Sequence, residues 1–271
     1  MSEAVPEETL LVWRSLLYVP ANNQRFIDKA HTRGADAIIL DLEDSVPAAE
    51  RDRARCMLAE SAAISSQAGS DVVVRINRPD AEAISDLDAT VIAGVDALML
   101  PKVDDAAHVL ALADAVEKLE SERGLTPGGI RFVVMVESPA ALFKADEIAS
   151  AHPRNTAAFL GGEDFATAAG IVPDPETLFL PKLMTMFAAR AAGITPLGML
   201  GTVADYKDLD AVRGIIKRSR KFGFEGASCI HPSVLPLLNE EMAPSMAEVD
   251  QAQRIVEAYA AVEKEGLGSI S

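Results

Sequence analysis

Eight short runs of apolar residues recur along the chain, separated by longer segments of mixed polarity. The runs are nearly unbroken and rich in Val, Ile and Leu, which is typical of parallel strands buried on both faces. They cover residues 16–20, 37–42, 72–76, 97–101, 132–136, 157–161, 195–201 and 227–231. The intervening segments repeat apolar residues at helical spacing, most clearly over 23–33, 48–65, 106–123, 139–150, 181–192 and 208–222.

This alternation predicts an α/β protein with a (β/α)8 TIM barrel, and the 271 residues suit a fold that typically needs about 250. An open doubly wound sheet is the alternative, but no GxGxxG motif follows the first run. We expect an N-terminal arm at 1–13, a barrel domain at 14–244 and a C-terminal helical extension at 245–271. Within that extension, residues 246–265 have the spacing of one amphipathic helix.

Composition and charge narrow the possible partners. The formal net charge is −16, so the surface as a whole repels nucleic-acid phosphates and anionic lipids, and we expect neither nucleic-acid nor membrane binding. The two cysteines, Cys56 and Cys229, are far apart, and no zinc-type Cys/His spacing occurs. The N-terminus MSEAVPEETL does not resemble a signal peptide. These features predict a soluble cytoplasmic protein with reduced thiols.

Polar side chains follow six of the eight predicted strands, at the end where a barrel carries its chemistry. They are Asp41, Glu43, Asp44, Arg75, Asn77, Lys102, Glu137, Ser138, Glu163, Asp164 and His231. Carboxylates that converge on one rim repel one another unless a cation lies among them, and carboxylate oxygens suit Mg²⁺. An arginine beside the ion would bind a substrate carboxylate through two hydrogen bonds. The rim therefore predicts a site for a small oxo or hydroxy acid.

Each of these residues also has a purely structural interpretation. The acids after the second strand could anchor their loop or cap the next helix, and Arg75 could be their ion-pair partner. Glu137 and Asp164 could be helix caps. We expect a structural or peripheral role for Lys102, which follows its strand rather than lying within it, and a structural role for His231.

Seven motifs resemble, in order, those of the citrate lyase beta-subunit-like group of the HpcH/HpaI aldolase family, whose relatives include malyl-CoA and citramalyl-CoA lyases. They are RSLLYVPANN (14–23), ADAIILDLEDSV (35–46), VVRIN (73–77), LMLPKV (98–103), VMVES (134–138), FLGGEDFA (159–166) and FGFEGASCIHP (222–232). The resemblance implies a (β/α)8 barrel, Mg²⁺, and reversible cleavage of a carbon–carbon bond next to a hydroxyl-bearing carbon.

The resemblance also implies roles for individual residues. Asp41, Glu43 and Asp44 resemble acids that hold metal-bound waters and the geometry of their loop. We therefore expect the catalytic residues to be Arg75, Glu43 and Asp44. We expect the substrate to contact Arg75, Gly162, Glu163 and Asp164. The expected metal ligands are Glu137 and Asp164. Arg14 opens the first motif but precedes its strand, which places it nearer the opposite end of the barrel.

Two motifs depart from the family pattern. The family's lyases usually carry an aspartate in the seventh strand, an acid/base that acts on the acetyl-CoA carbon across a subunit interface. This chain has Gly198 or Leu200 there, although Asp205 and Asp208 of a second acidic stretch are present. In the fifth-strand motif, Ser138-Pro139-Ala140 begins where the usual threonine and glycine stand. Because neither glycine nor leucine donates a proton, we expect slow or absent cleavage of malyl-CoA and citramalyl-CoA.

The sequence thus favours a Mg²⁺-dependent carbon–carbon lyase that acts on a small oxo or hydroxy acid or its CoA thioester. A pyruvate-type aldolase, an acyl-CoA thioester hydrolase and a non-catalytic subunit of a lyase complex are the alternatives. The resemblance also implies a homotrimer or homohexamer. The apolar face of the predicted C-terminal helix supports this, since no later strand covers it: Val249, Ala252, Ile255, Val256 and Tyr259.

Overall fold

Eight parallel strands form a single sheet in the computed structural model, which describes residues 12–78, 80–202 and 206–264. The strands are β1 (Ser15–Pro20), β2 (Ala37–Asp41), β3 (Asp71–Arg75), β4 (Ala97–Leu100), β5 (Arg131–Val136), β6 (Asn155–Leu160), β7 (Thr195–Pro196) and β8 (Ala227–Cys229). Their order is β7-β6-β5-β4-β3-β2-β1-β8. All eight predicted strands are present, and the predicted (β/α)8 architecture is confirmed.

The sheet closes on itself between β7 and β8. An isolated parallel bridge pairs Leu197 with Gly226, and the amide of Gly198 donates to the carbonyl of Gly226 at 2.8 Å. On the other side of β8, a Cβ at position 226 would clash with the carbonyl group of Trp13. Glycine at this position therefore allows the chain to enter β8 against the start of β1 while it also bridges to β7.

Strand β7 is much shorter than the predicted run 195–201, since regular pairing covers only Thr195 and Pro196. Proline has no N–H to donate to a neighbouring strand. Two residues later Gly198 adopts φ +135°, which takes the backbone out of the extended conformation. The apolar character of the run serves burial rather than strand pairing, because Leu197, Met199 and Leu200 are all buried.

Alternate residues of each strand face two separate cores. One core lies inside the barrel and includes Leu16, Ile39, Val73, Met99 and Met135. The other lies between the strands and the helices, and takes the residues of opposite parity, as Leu17, Ile38, Val72 and Leu98 show. This strict alternation determines which side chains at the strand ends point into the barrel mouth.

Eleven α-helices surround the strands in the described part of the chain. They are α1 (Gln24–Ala30), α2 (Arg51–Ser65), α3 (Asp80–Thr90), α4 (Ala106–Arg123), α5 (Pro139–Leu142), α6 (Ala145–Ala149), α7 (Gly162–Ala169), α8 (Phe179–Ala191), α9 (Leu209–Phe222), α10 (Leu235–Glu241) and α11 (Met246–Lys264). The predicted helix 139–150 is two short helices, and α3, α7 and α10 were not predicted. In α3 the fully buried acid Asp86 accepts hydrogen bonds from Asn77 and Arg55, so the inner face lacks a continuous apolar stripe.

The C-terminal helix α11 leaves most of its apolar face uncovered. Ile255, Val256 and Tyr259 are 57%, 68% and 60% exposed, so this face does not pack on its own barrel. The exposed apolar surface is consistent with the expected homo-oligomer, which stays a prediction. None of the helices in the described ranges is long and apolar enough to cross a lipid bilayer.

Candidate active site

Strand parity brings three charged side chains together at the mouth of the barrel. Asp41 continues the inward-facing series of β2, Arg75 that of β3, and Glu137 that of β5. All three are less than 9% exposed. They line a cavity of about 380 Å³ that also includes Asp44 and the start of α7. The structure therefore assembles most of the predicted site residues at the C-terminal ends of the strands, as expected for this fold.

Arg75 is held by the acids that follow β2. Its Nε and Nη2 donate to the two carboxylate oxygens of Asp41 at 2.7 and 2.8 Å, and its Nη1 lies 3.0 Å from both Glu43 and Asp44. The guanidinium stacks on the ring of Tyr18, 4.9 Å from the centroid. Arg75 is thus an ion-pair partner of these acids in the structure, one of its two predicted interpretations.

Asp41 anchors the loop between β2 and α2. Its carboxylate accepts hydrogen bonds from the backbone amides of Glu43 at 3.0 Å and Ser45 at 3.1 Å. Burial alone would raise the pKa of Asp41, but the hydrogen bonds and positive charge of Arg75, with the hydrogen bonds from Ser45 and the Glu43 amide, together outweigh burial and hold that pKa below its usual range. Asp41 is therefore a permanent anion that fixes Arg75, and the predicted loop-anchoring role is found at this position.

Glu137 is a buried carboxylate with only one of its oxygens engaged. The backbone amide of Lys102 donates to Oε2, while Oε1 has no hydrogen-bond partner. Burial raises the pKa of Glu137 to about 8, and the neighbouring Glu43 and Asp164 add to the shift. An unsatisfied buried carboxylate is costly, so this oxygen requires a proton or a cation. The helix-cap alternative is not found, because Ser138 is the N-cap of α5.

Gly161 leaves the space that the Glu137 carboxyl group occupies. A Cβ at position 161 would come within 2.6 Å of the Glu137 Cγ, which is far inside van der Waals contact. The amide of Gly161 pairs with the carbonyl of Val136, so the two segments cannot separate to make room. The sequence motif contains this glycine, but the spacing of charged residues gave no indication of its role.

Helix α7 brings Glu163 and Asp164 to the same cavity. Both lie in its first turn, where the positive end of the helix dipole favours carboxylates. Neither caps the helix, since Gly161 is the N-cap residue and no side chain makes a cap hydrogen bond. Gly162 and Glu163 line the cavity with Asp164, whose side chain is 40% exposed.

Lys102 lies among the acids rather than at the periphery. Its backbone has φ +49°, and its ammonium donates to Glu43 and lies 3.8 Å from Asp164. Burial lowers the pKa of Lys102, but the hydrogen bond that it donates to Glu43 and the negative charges of Glu43, Asp164 and Glu137 together outweigh burial and raise that pKa overall. Lys102 is therefore a fixed cation that neutralises two acids of the site, which supports the structural role over the peripheral one.

Two other conspicuous residues are structural. His231 caps the turn after β8, where its Nδ1 accepts from the amide of Ser233, and its ring stacks on Tyr206 at 4.6 Å. Arg14 pairs with Asp36 at 2.7 Å, before β1 and β2 and at the end of the barrel opposite the cavity. Both placements agree with the predictions.

The donor set of the cavity suits a hard cation with few protein ligands. In the described residues, no three His, Cys, Asp or Glu side chains converge in a way that would enclose a metal ion. Mg²⁺ does not require such a cage, since it binds one or two carboxylates and retains water. Glu137 Oε1 is buried on the cavity without a hydrogen-bond partner, so the residues present fit Mg²⁺.

The profile of the HpcH/HpaI aldolase/citrate lyase family matches residues 14–232. The chain is 34% identical to the citrate lyase subunit beta of Escherichia coli K12 over 264 residues, which covers 95% of this chain and 86% of that protein. It is also 34% identical to a (3S)-malyl-CoA thioesterase of Cereibacter sphaeroides over 260 residues, covering 94% and 86% of the two chains.

Its structure resembles that of CitE from Mycobacterium tuberculosis in complex with magnesium, acetoacetate and coenzyme A. The TM-score is 0.70 at 26% identity, and the match covers 92% of this chain and 88% of that one. Other structures of the same CitE hold magnesium with pyruvate or with oxaloacetate. The protein is therefore similar in sequence and fold to proteins that have different activities, a citrate lyase subunit and a thioesterase.

Proposed function

Because the chain belongs to the HpcH/HpaI aldolase/citrate lyase family, we propose that it is a Mg²⁺-dependent carbon–carbon lyase. Its substrate would be a small hydroxy or oxo acid, free or as a CoA thioester. The observation that carries this proposal is the buried Glu137 carboxylate, which has an unpartnered oxygen on the same cavity as Arg75. The magnesium and small oxo acids bound to CitE support the choice of cofactor and substrate class.

Glu137 and Asp164 would hold the ion. They follow β5 and β6, which pair side by side, and both line the cavity. When bound, Mg²⁺ supplies Lewis-acid polarisation of the oxygen atoms of a chelated hydroxy or oxo acid. Glu43 and Asp44 would accept hydrogen bonds from the water and substrate hydroxyl groups around it, and Lys102 balances the charges of Glu43 and Asp164. Gly162 and Glu163 would contact the substrate at the start of α7.

Arg75 would bind the substrate carboxylate through Nη1, the guanidinium nitrogen that Asp41 does not hold. Asp41 holds Nε and Nη2 from within the barrel, whereas Nη1 contacts Asp44, whose side chain is 58% exposed. A substrate carboxylate that enters the cavity would replace Asp44 on Nη1, because an exposed carboxylate gains little from an ion pair. The Tyr18 ring and Asp41 then keep the guanidinium plane fixed while the substrate is bound.

Gly161→Ala should weaken Mg²⁺ binding by at least about tenfold, since the added Cβ displaces the Glu137 carboxylate. Isothermal titration of Mg²⁺ measures this change directly. Gly214→Ala on α9 is the matched control, because a Cβ there meets no other atom within 4 Å. Equal Mg²⁺ affinity in the wild type and in Gly161→Ala would contradict the assignment of Glu137.

A thioester hydrolase is the second candidate, and two observations favour it. The chain lacks the seventh-strand aspartate expected for acetyl-CoA chemistry, because Gly198 or Leu200 stands at that position. The malyl-CoA thioesterase relative is as similar to this chain as the citrate lyase subunit is, at 34% identity. A hydrolase would use the same oxo-acid and metal site but transfer the acyl group to water.

Separate assays of two products distinguish these functions. Malyl-CoA and citramalyl-CoA are incubated with saturating Mg²⁺, and release of an oxo acid and of free CoA thiol are followed in parallel. Carbon–carbon cleavage yields the oxo acid without free thiol, whereas hydrolysis yields free thiol without oxo acid. From the missing aspartate we expect cleavage of these two thioesters below about 1–10 per second. If no hydroxy acid or thioester in a wider panel yields either product, the protein is a non-catalytic subunit and the lyase proposal is wrong.

A further inference from the structure

One lysine of the cavity lies away from the acids and has no role in the proposed site. Lys182 extends from α8 to the wall formed by the segment after β7, where its ammonium donates to the carbonyls of Met199 at 2.8 Å and of Gly201. Its Cε lies 4.0 Å from the position that a Cβ on Gly162 would occupy. Lys182 is therefore adjacent to the first turn of α7, which carries Asp164, on the far side of the cavity from Arg75.

Lys182 has no carboxylate partner. Within the described ranges, no Asp or Glu oxygen lies within 4.0 Å of its ammonium, in contrast to Lys102, which contacts two acids. Burial lowers the pKa of Lys182 to about 8, and the more distant Glu163 offsets only part of that effect. Of the two lysines, Lys182 is therefore the one whose ammonium gives up a proton more easily.

The two hydrogen bonds fix the direction of any proton transfer. An ammonium nitrogen has three N–H bonds, and two of them are directed at Met199 and Gly201. When the nitrogen loses a proton, the remaining two N–H bonds still satisfy these carbonyls, and the lone pair takes the third position. The same position thus presents either a proton or a lone pair, without rearrangement of the side chain.

The β7 and β8 side of the cavity offers no other ionisable group among the described residues. The lining there is uncharged and includes Leu197, Met199, Phe224 and Ile230. A substrate whose carboxylate lies at Arg75 and whose oxygen atoms lie near Glu137 would extend its remaining fragment towards this wall. That fragment needs a proton when the carbon–carbon bond breaks.

We propose that Lys182 is the acid–base residue that transfers a proton to and from the carbon of this fragment, an inference that rests on the proposed lyase function. In cleavage, the substrate hydroxyl gives its proton to water and becomes a carbonyl while the carbon–carbon bond breaks. The bonding electron pair passes to the departing fragment as an enolate. The Nζ–H of Lys182 then protonates the enolate carbon, and the neutral amine regains a proton from water.

This inference bears on the missing aspartate of the seventh strand. If Lys182 supplies the proton, the absence of an acid at Gly198 or Leu200 no longer predicts slow thioester cleavage. The group would come from α8 of the same chain rather than from a neighbouring subunit. The missing aspartate predicts slow proton transfer to the reacting carbon, whereas a proton from Lys182 predicts fast transfer. Proton exchange at that carbon distinguishes the two expectations.

The test is the exchange of methyl protons with deuterium oxide, followed by proton NMR in the presence of Mg²⁺. Pyruvate and acetyl-CoA are the two probes, each incubated separately with the protein. Lys182→Arg keeps the positive charge and donors for both carbonyls but does not give up a proton near pH 8. Lys182→Met removes both functions, and Lys118→Met on the exposed face of α4, at a side chain 75% exposed, is the matched control.

We expect the wild type and Lys118→Met to exchange the methyl protons of one probe, and both Lys182 variants to be slower by at least about 100-fold. Pyruvate binding, measured by titration calorimetry with Mg²⁺, should change by less than about threefold in Lys182→Arg. Wild-type exchange in Lys182→Arg would overturn the inference, since charge and hydrogen bonding would then suffice. The inference would also be overturned if the wild type exchanged the methyl protons of neither pyruvate nor acetyl-CoA. Mg²⁺-dependent pyruvate binding in those samples then shows whether the lyase proposal fails as well.

Discussion

Glu137→Gln and Asp164→Asn should each abolish the thermal stabilisation that Mg²⁺ gives the wild type. An amide has nearly the shape of the carboxylate but only a weak neutral oxygen to offer a hard cation, and Mg²⁺ binds through one or two carboxylates. In the wild type, Mg²⁺ at 100 times its Kd should stabilise the fold by about 2.7 kcal/mol. Differential scanning fluorimetry over a Mg²⁺ series measures this gain as a rise in Tm.

The metal-free proteins provide an internal check on this result. Glu137 Oε1 is buried without a partner, so Glu137→Gln should fold at least as stably as the wild type when Mg²⁺ is absent. Glu122→Gln is the matched control, because its side chain lies on the exposed face of α4, 56% accessible. Unchanged Mg²⁺ affinity by titration calorimetry in both site variants would show that the metal ligands have been misassigned.

Arg75→Lys should weaken the binding of small oxo acids by more than tenfold, equivalent to about 1.4 kcal/mol or more. Lysine keeps the charge, but a single ammonium cannot bind Asp41 through two parallel hydrogen bonds and also reach a substrate carboxylate. The stacking of the guanidinium plane on Tyr18 is lost as well. Titration of oxaloacetate and pyruvate in the presence of Mg²⁺ measures the effect.

The control for this substitution is Arg190→Lys, at an arginine 47% exposed that pairs with Glu225 outside the cavity. It should leave oxo-acid affinity unchanged. Because Arg75 also holds the β2 loop, Tm is measured for both variants, and binding is compared at a temperature where each is folded. An oxo-acid Kd in Arg75→Lys equal to that of the wild type would mean that Arg75 is only an ion-pair partner of the acids.

Most of the fold and half of the site could be predicted because side chains alternate between the two faces of a strand, so the sequence alone tells which residues point into the barrel. Asp41, Arg75 and Glu137 each continue an inward-facing series of a strand, and all parallel strands end at the same rim. Their convergence follows from the barrel alone. The Mg²⁺ and substrate roles assigned to them depend on chemistry beyond that geometry and stay proposals.

Features set by contacts between distant segments could not be predicted in the same way. The role of Gly161 depends on how closely β6 approaches the Glu137 side chain, which only the register of β5 and β6 determines. Lys182 reaches the cavity from a helix, and its one sequence signal is that it is the only charged residue between Phe179 and Ala189. A lone lysine in an apolar segment is easily interpreted as a solvated side chain.

The closure of the barrel has a consequence for how its stability is distributed. Strands β1 to β6 are joined by ladders of three to five residue pairs, whereas β7 contributes two residues and meets the edge of β8 through one isolated bridge. Resistance to local unfolding depends on such pairing, so opening the chain there should require less free energy than opening any other pair of neighbouring strands. Lys182 donates hydrogen bonds to the carbonyls of Met199 and Gly201 just after β7, so its ammonium also stabilises the chain next to the β7–β8 closure, the least extensively paired part of the barrel.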